Sequence, residues 1–130
     1  MREYFDKELT QLNDSLIEMG GLVEQAIKNT MKMIVDGEDL LDIAREHENR
    51  INEAEKSIQS RCLHLLLHQA PVAHDLRYVS AALKMITDLE RIGDQAVDIV
   101  CLHQGQKAGV QSYSHFGNGR QCLKNGNGGY

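Results

Sequence analysis

The chain has 130 residues, 42% hydrophobic and 25% charged, with a formal net charge of −5, which fits one soluble domain. No stretch approaches the roughly 18 apolar residues of a membrane span, and the opening Met1–Glu8 is charged rather than signal-like, so a cytoplasmic location is expected. Residues 1–103 hold 11 Lys and Arg against 19 Asp and Glu, a balance of −8, which argues against nucleic acid as a primary ligand because phosphate needs a basic face.

One proline, no tryptophan and 5% aromatics favour helices over strands. In chain order, Phe5, Leu9, Leu12, Leu16, Met19, Val23, Ala26, Thr30 and Met33 recur in steps of four and three. That rhythm predicts one long helix over about Arg2–Val35 with coiled-coil-like packing. Gly20-Gly21 interrupts the composition but not the phase, and Gly37 stands where a helix-ending residue belongs. A second helix is expected from about Glu38 to Gln69, with a stripe of Leu40, Ala44, His47, Ile51, Ala54, Ile58, Cys62 and Leu65.

Pro71 ends that helix, because a proline disfavours helical geometry in the residue before it. A third helix should begin near Val72–Asp75. Its seam counts through Leu76, Val79, Leu83, Ile86, Glu90, Gly93, Val97 and Val100. Three long helices with short connections bury their stripes by folding antiparallel. The predicted fold is therefore all-α, an antiparallel three-helix bundle over residues 1–103. Residues 104–130 contain Lys107, Arg120 and Lys124 but no acid, and they are rich in Gly and Asn. This composition predicts a disordered tail, and it reads as a substituted end on a chain cut short. Cys62, Cys101 and Cys122 are odd in number and show no C-x-x-C spacing, so they read as reduced thiols.

The third helix places acid in its own seam. Glu90, Asp94 and Asp98 follow at i, i+4 and i+8, and the second helix offers Glu48 and Asn52 at the same spacing, with Glu55 a turn beyond. Two facing helices that present oxygen donors four residues apart can build a metal site inside a bundle. Hard carboxylates would suit magnesium, manganese, calcium or iron. Acids at i, i+4 more often line solvent, and it is the seam position of Glu90 that favours a ligand, since a buried charge is costly without a partner. His64 and His68 share a helical face, but they read as ordinary surface residues. His47, on the second stripe, reads as a satisfied, partly buried side chain.

Asp88-Leu89-Glu90-Arg91-Ile92-Gly93-Asp94-Gln95-Ala96 resembles the signature helix of the PhoU family. Gln69–Arg77 is similar to that family's proline turn, Glu48–Asn52 to its second-helix acidic motif, and Met19–Glu24 to its first helix. The resemblance implies one repeat of a fold that pairs two three-helix bundles. It also implies E(D)xxxD motifs that bind multinuclear iron or zinc in some members. Glu90, Asp94 and Glu48 fall on motif positions, with Asp98 one turn further, while Asn52 stands where an acid would ligate more strongly.

As a function, the resemblance implies a negative regulator of the phosphate-starvation response. Its expected partners are components of the phosphate ABC transporter and a sensor histidine kinase, with membrane association only through them, and the chain is expected to pair as a dimer. Two alternatives remain open. One is a metal-free helical oligomerisation adaptor. The other is a carboxylate-bridged di-metal enzyme, which would want Glu three residues before a histidine. The residues at that offset are Ala44, Arg61, Leu65, Pro71, Val100 and Ser112, so no catalysis is expected.

Overall fold

Helix α1 spans Arg2–Asp36 without a break, about 52 Å at 1.5 Å per residue. The computed structural model describes residues 2–68 and 73–107, and among these there is no strand. Phe5, Leu12, Leu16, Met19, Val23, Ala26, Thr30 and Met33 are all buried, so the heptad stripe is the packing face. Gly20 and Gly21 remain helical because the stripe on either side is held by the other helices. The end of α1 is set by Gly37, whose φ of +77° turns its N–H back to donate to the Met33 carbonyl at 2.8 Å. Only glycine adopts that left-handed geometry without strain.

Helix α2 spans Leu41–His68, three residues shorter at its start than the sequence suggests. Asp39 explains this, since its Oδ1 accepts the Leu41 N–H at 3.2 Å and thereby caps the helix there. Helix α3 spans Ala73–Lys107, four residues beyond the expected boundary at 103. Gln104 anchors this last turn by donating to Asp39 Oδ1 at 3.1 Å. The proline turn and the expected tail from residue 108 onward lie outside the described residues.

Every helix packs on both others. Helix α2 runs antiparallel to its neighbours, while α1 and α3 lie parallel. Tyr78 donates its hydroxyl to Asn13 Oδ1 at 3.3 Å, and Arg61 ties α2 to α1 by donating to Glu8 at 3.1 Å and Gln11 at 2.8 Å. The buried Thr30 hydroxyl sits 2.9 Å from the Ala26 carbonyl and 3.4 Å from that of Ala96. One α1 seam hydroxyl is thus satisfied within its own helix and touches α3. A core of Leu12, Met19, Ile51, Ile58, Leu65, Val79 and Ile86 fills the centre. Each such side chain contributes about 1.5–3 kcal/mol on burial.

Two expectations about α3 need correction. Leu76 is 43% exposed, and Asp75 takes its place in the core at 2%. Ala82 is buried where Leu83 is only half-buried. The packed line through Asp75, Val79, Ala82 and Ile86 also alternates four and three; it shares Val79 and Ile86 with the most apolar line and lies one residue earlier only at the positions between them. Glu90 consequently lies beside the seam rather than in it, half-buried, with Leu89 on the other side packing against the core. Cys62 is a buried free thiol, while Cys122 lies outside the described residues.

Candidate functional site

Gly93 faces Ile51 where α3 packs on α2. A Cβ added at this glycine would lie 3.0 Å from Ile51 Cδ1 and 3.4 Å from Ile51 Cγ2, so any side chain here would have to displace the isoleucine tip by a few tenths of an ångström. Seven residues away in opposite directions, Ala44 and Val100 share a second apolar cluster. Matching the antiparallel helices residue by residue sets Glu48 level with Ala96, between Asp94 and Asp98. It sets Asn52 level with Ile92, between Glu90 and Asp94. The five candidate donors therefore alternate along one crevice between α2 and α3.

Burial agrees with this placement. Glu48 is 4% exposed, and Asn52, Glu90, Asp94 and Asp98 are half-buried. One carboxylate oxygen each of Asp94 and Asp98 is shielded from solvent. Glu48, Glu90, Asp94 and Asp98 each engage another group of the protein, as buried charge requires. Asp88 belongs to a different surface, lying 3.3 Å from Lys84 Nζ and 3.8 Å from Arg91 Nη1. The donors are all oxygen, a chemistry that fits a hard or borderline divalent cation. Among the described residues, however, no three His, Cys, Asp or Glu side chains stand together closely enough to hold one ion. Binding would require carboxylate rotamers to turn toward a common point.

His64 and His74 are exposed, and His47 Nδ1 lies 3.0 Å from the Ile43 carbonyl within its own helix. Burial pushes the Cys62 thiol up to about 11, with Arg61 opposing weakly. The thiol is thus protonated and poorly nucleophilic at neutral pH. Sequence reasoning missed Asp75, the most buried acid. The only available signal was that its position satisfies the helical count as well as Leu76 does. It also counted Gly93 in the seam without reading it as a contact, although the one residue lacking a side chain among large ones was the clue.

The PhoU domain family matches residues 16–102. The chain belongs to this family. A Pseudomonas aeruginosa phosphate-specific transport system accessory protein PhoU homolog is 36% identical over 95 residues, covering 72% of this chain and 39% of that protein. A homolog of the same name from Clostridium acetobutylicum is 34% identical over 100 residues, covering 75% of this chain and 46% of its own length. The Serratia marcescens accessory protein PhoU is 32% identical over 112 residues, covering 85% and 44%. This PhoU domain chain thus spans less than half the length of these curated relatives. No solved structure matches it. The match embraces α1 from Leu16, all of α2, and α3 to Leu102, and so includes all five candidate donors.

Proposed function

We propose that this PhoU domain chain is a regulatory accessory protein of phosphate transport. The observation that carries the reading is the family match over residues 16–102, together with relatives named as accessory proteins of the phosphate-specific transport system. In this reading the chain works as a helical adaptor in the cytoplasm. It contacts transporter components and the sensor kinase and lowers the phosphate-starvation response when phosphate is plentiful. Among the described residues no helix is long and apolar enough to cross a membrane, so membrane association would run through those partners. Regulation by contact rather than catalysis also suits a bundle whose acids are spread along a crevice.

Metal binding belongs to the same proposal. Glu90, Asp94, Glu48, Asn52 and Asp98 would hold a divalent or multinuclear ion such as iron, zinc, magnesium or manganese. Their alternation along the α2–α3 crevice and the all-oxygen donor set support this reading. The ion would supply a positive centre on an otherwise acidic surface, where phosphate or a partner's carboxylate could dock. Two measurements separate the parts of the proposal. Expression in cells lacking their own PhoU should restore repression of a phosphate-starvation reporter under high phosphate, and failure to do so counts against the regulatory role. Elemental analysis of purified protein should show metal that the Glu90→Ala/Asp94→Ala variant lacks. Equal content in both would remove the site assignment while leaving regulation standing.

A further inference from the structure

On the side of α3 away from the acidic crevice, α1 and α3 together present an apolar groove. The helices run parallel and are level at the Asn13–Tyr78 hydrogen bond of 3.3 Å. The exposed Ile27 of α1 therefore stands level with the exposed Ile92 of α3, and Ile34 level with Ile99. Toward the helix starts the groove opens into an apolar pocket of about 290 Å³, with Ile17, Tyr78 and Met85 in its wall. Its two edges differ in charge. On α1, exposed Asp14 and Glu18 flank Ile17, and Glu24 follows further along, with Lys28 paired to Glu24 at 3.7 Å. On α3 the edge carries Arg77, Lys84 and Arg91, with Asp88 lying 3.3 Å from Lys84 and 3.8 Å from Arg91.

Ile17, Ile27, Ile34, Met85, Ile92 and Ile99 together expose roughly 600 Å², at the upper end of the 300–600 Å² typical of the largest apolar patch on a monomer. Residues 108–130 carry the complementary chemistry. They hold Tyr113, Phe116 and Leu123 together with Arg120 and Lys124, and they contain no acid. Such a segment is too polar to build a core of its own, but a ready-made apolar face lets its few apolar side chains leave water. An aromatic side chain buries about 150–250 Å², so Tyr113, Phe116 and Leu123 together match the exposed area. Reach is sufficient as well. Ile92 and Met85 stand about 22 Å and 33 Å before Lys107 along α3, at 1.5 Å per residue. An extended chain covers about 3.3 Å per residue, which takes Phe116 up to roughly 30 Å and Leu123 up to roughly 53 Å back from Lys107. In that order Arg120 and Lys124 come alongside the acids of α1, where opposite charge favours them. A second copy would instead bring its own balance of −8 over residues 1–103, with the same acids, to this edge.

We propose that residues 108–130 fold back along the α1–α3 groove, with Phe116 on the Ile27–Ile92 stretch, Leu123 in the pocket, and Arg120 and Lys124 against the acids of α1. The inference stands on area, reach and charge, and it does not depend on the phosphate-transport reading. Hydrogen–deuterium exchange of the full chain in reducing buffer, read by mass spectrometry, tests it. Backbone amides of residues 113–124 should exchange at least about five-fold more slowly than those of an unstructured peptide of the same sequence. The protection should be equal at roughly 1 and 50 μM, because the contact lies within one molecule. Ile92→Lys should restore the unstructured rate without changing the helical circular dichroism. Met85→Lys, at the pocket end, provides a second variant in case the first fails to fold. Arg120→Glu/Lys124→Glu should also lose most of the protection, whereas Leu63→Asp, on α2 at a site 46% exposed, should keep it. Unstructured rates in the unmodified chain would overturn the proposal. So would protection that grows with concentration, the mark of a second copy as the occupant, or protection that survives both groove variants or the charge reversal, or that Leu63→Asp abolishes.

Discussion

Gly93 offers the sharpest test of how α2 and α3 are held. In Gly93→Ala the new methyl meets Ile51 Cδ1 at 3.0 Å and Cγ2 at 3.4 Å, and Ile51 is itself only 1% exposed. The isoleucine tip must give by a few tenths of an ångström inside a filled core, an overpacking that costs about 1–3 kcal/mol. Alanine also recovers about 0.8–1 kcal/mol of helix propensity over glycine. The balance is a loss of roughly 0–2 kcal/mol. At about 4–8 °C per kcal/mol for a domain of this size, the melting temperature should fall by up to roughly 15 °C.

The discriminating variant is the pair with Ile51→Val, which deletes the very Cδ1 atom in the way. Alone, Ile51→Val should cost about 0.5–1.5 kcal/mol. Combined with Gly93→Ala it should cost less than the sum, with a favourable coupling of at least about 0.5 kcal/mol. Urea unfolding followed by helical circular dichroism supplies all four corners of the cycle. Strict additivity, or a Gly93→Ala variant more stable by the full propensity gain, would refute the close-approach argument.

Other glycines should respond differently. Gly21→Ala meets no atom within 4 Å and lies mid-helix, so it should stabilise by about 0.5–1 kcal/mol in the same urea assay. Gly37→Ala is equally uncrowded but must adopt a φ of +77°. It should destabilise by about 1–2 kcal/mol, with Gly37→Asn milder. For Cys62, burial raises the thiol from 9.0 to about 11, so the folded state holds its proton more tightly than the unfolded state does. Its contribution to stability is whole below pH 9 and is lost as pH rises toward 11. Unfolding midpoints should therefore drop across that window and should not do so in Cys62→Ala. Alkylation of the Cys62 peptide at pH 8, read by mass spectrometry, should be far slower in folded than in urea-unfolded protein. Equal rates would contradict the burial.

Much of the fold is legible in the residues themselves. The α1 stripe from Phe5 to Met33 is buried at every position but Leu9, which is half-buried, because nine apolar or small residues in one rhythm leave no competing face. Gly37 announces the end of α1, and the acids of α2 and α3 can be paired on paper. The start of α2 was less legible, since Asp39 rather than hydropathy sets it through a single cap.

What the sequence by itself determined is that three helices form, roughly where they begin and end, and that Glu48, Asn52, Glu90, Asp94 and Asp98 share the spacing of a donor set. What only the tertiary structure decided is the rotation of α3 and its register on α2. A seam that advances by three and four residues is satisfied equally by Asp75 or Leu76 and by Ala82 or Leu83. Hydrophobicity favoured the second choice in each pair. The bundle took the first, because the contact of Gly93 with Ile51 and the packing of Val79, Ile86 and Val100 fix the azimuth of the whole helix. Glu90 then falls to the edge of the core, where it can line a crevice. The rotation is slight, since Val79, Ile86, Gly93, Val97 and Val100 stay buried where the apolar count places them, and only the shape of the neighbouring helices selects which residue beside that shared line is covered.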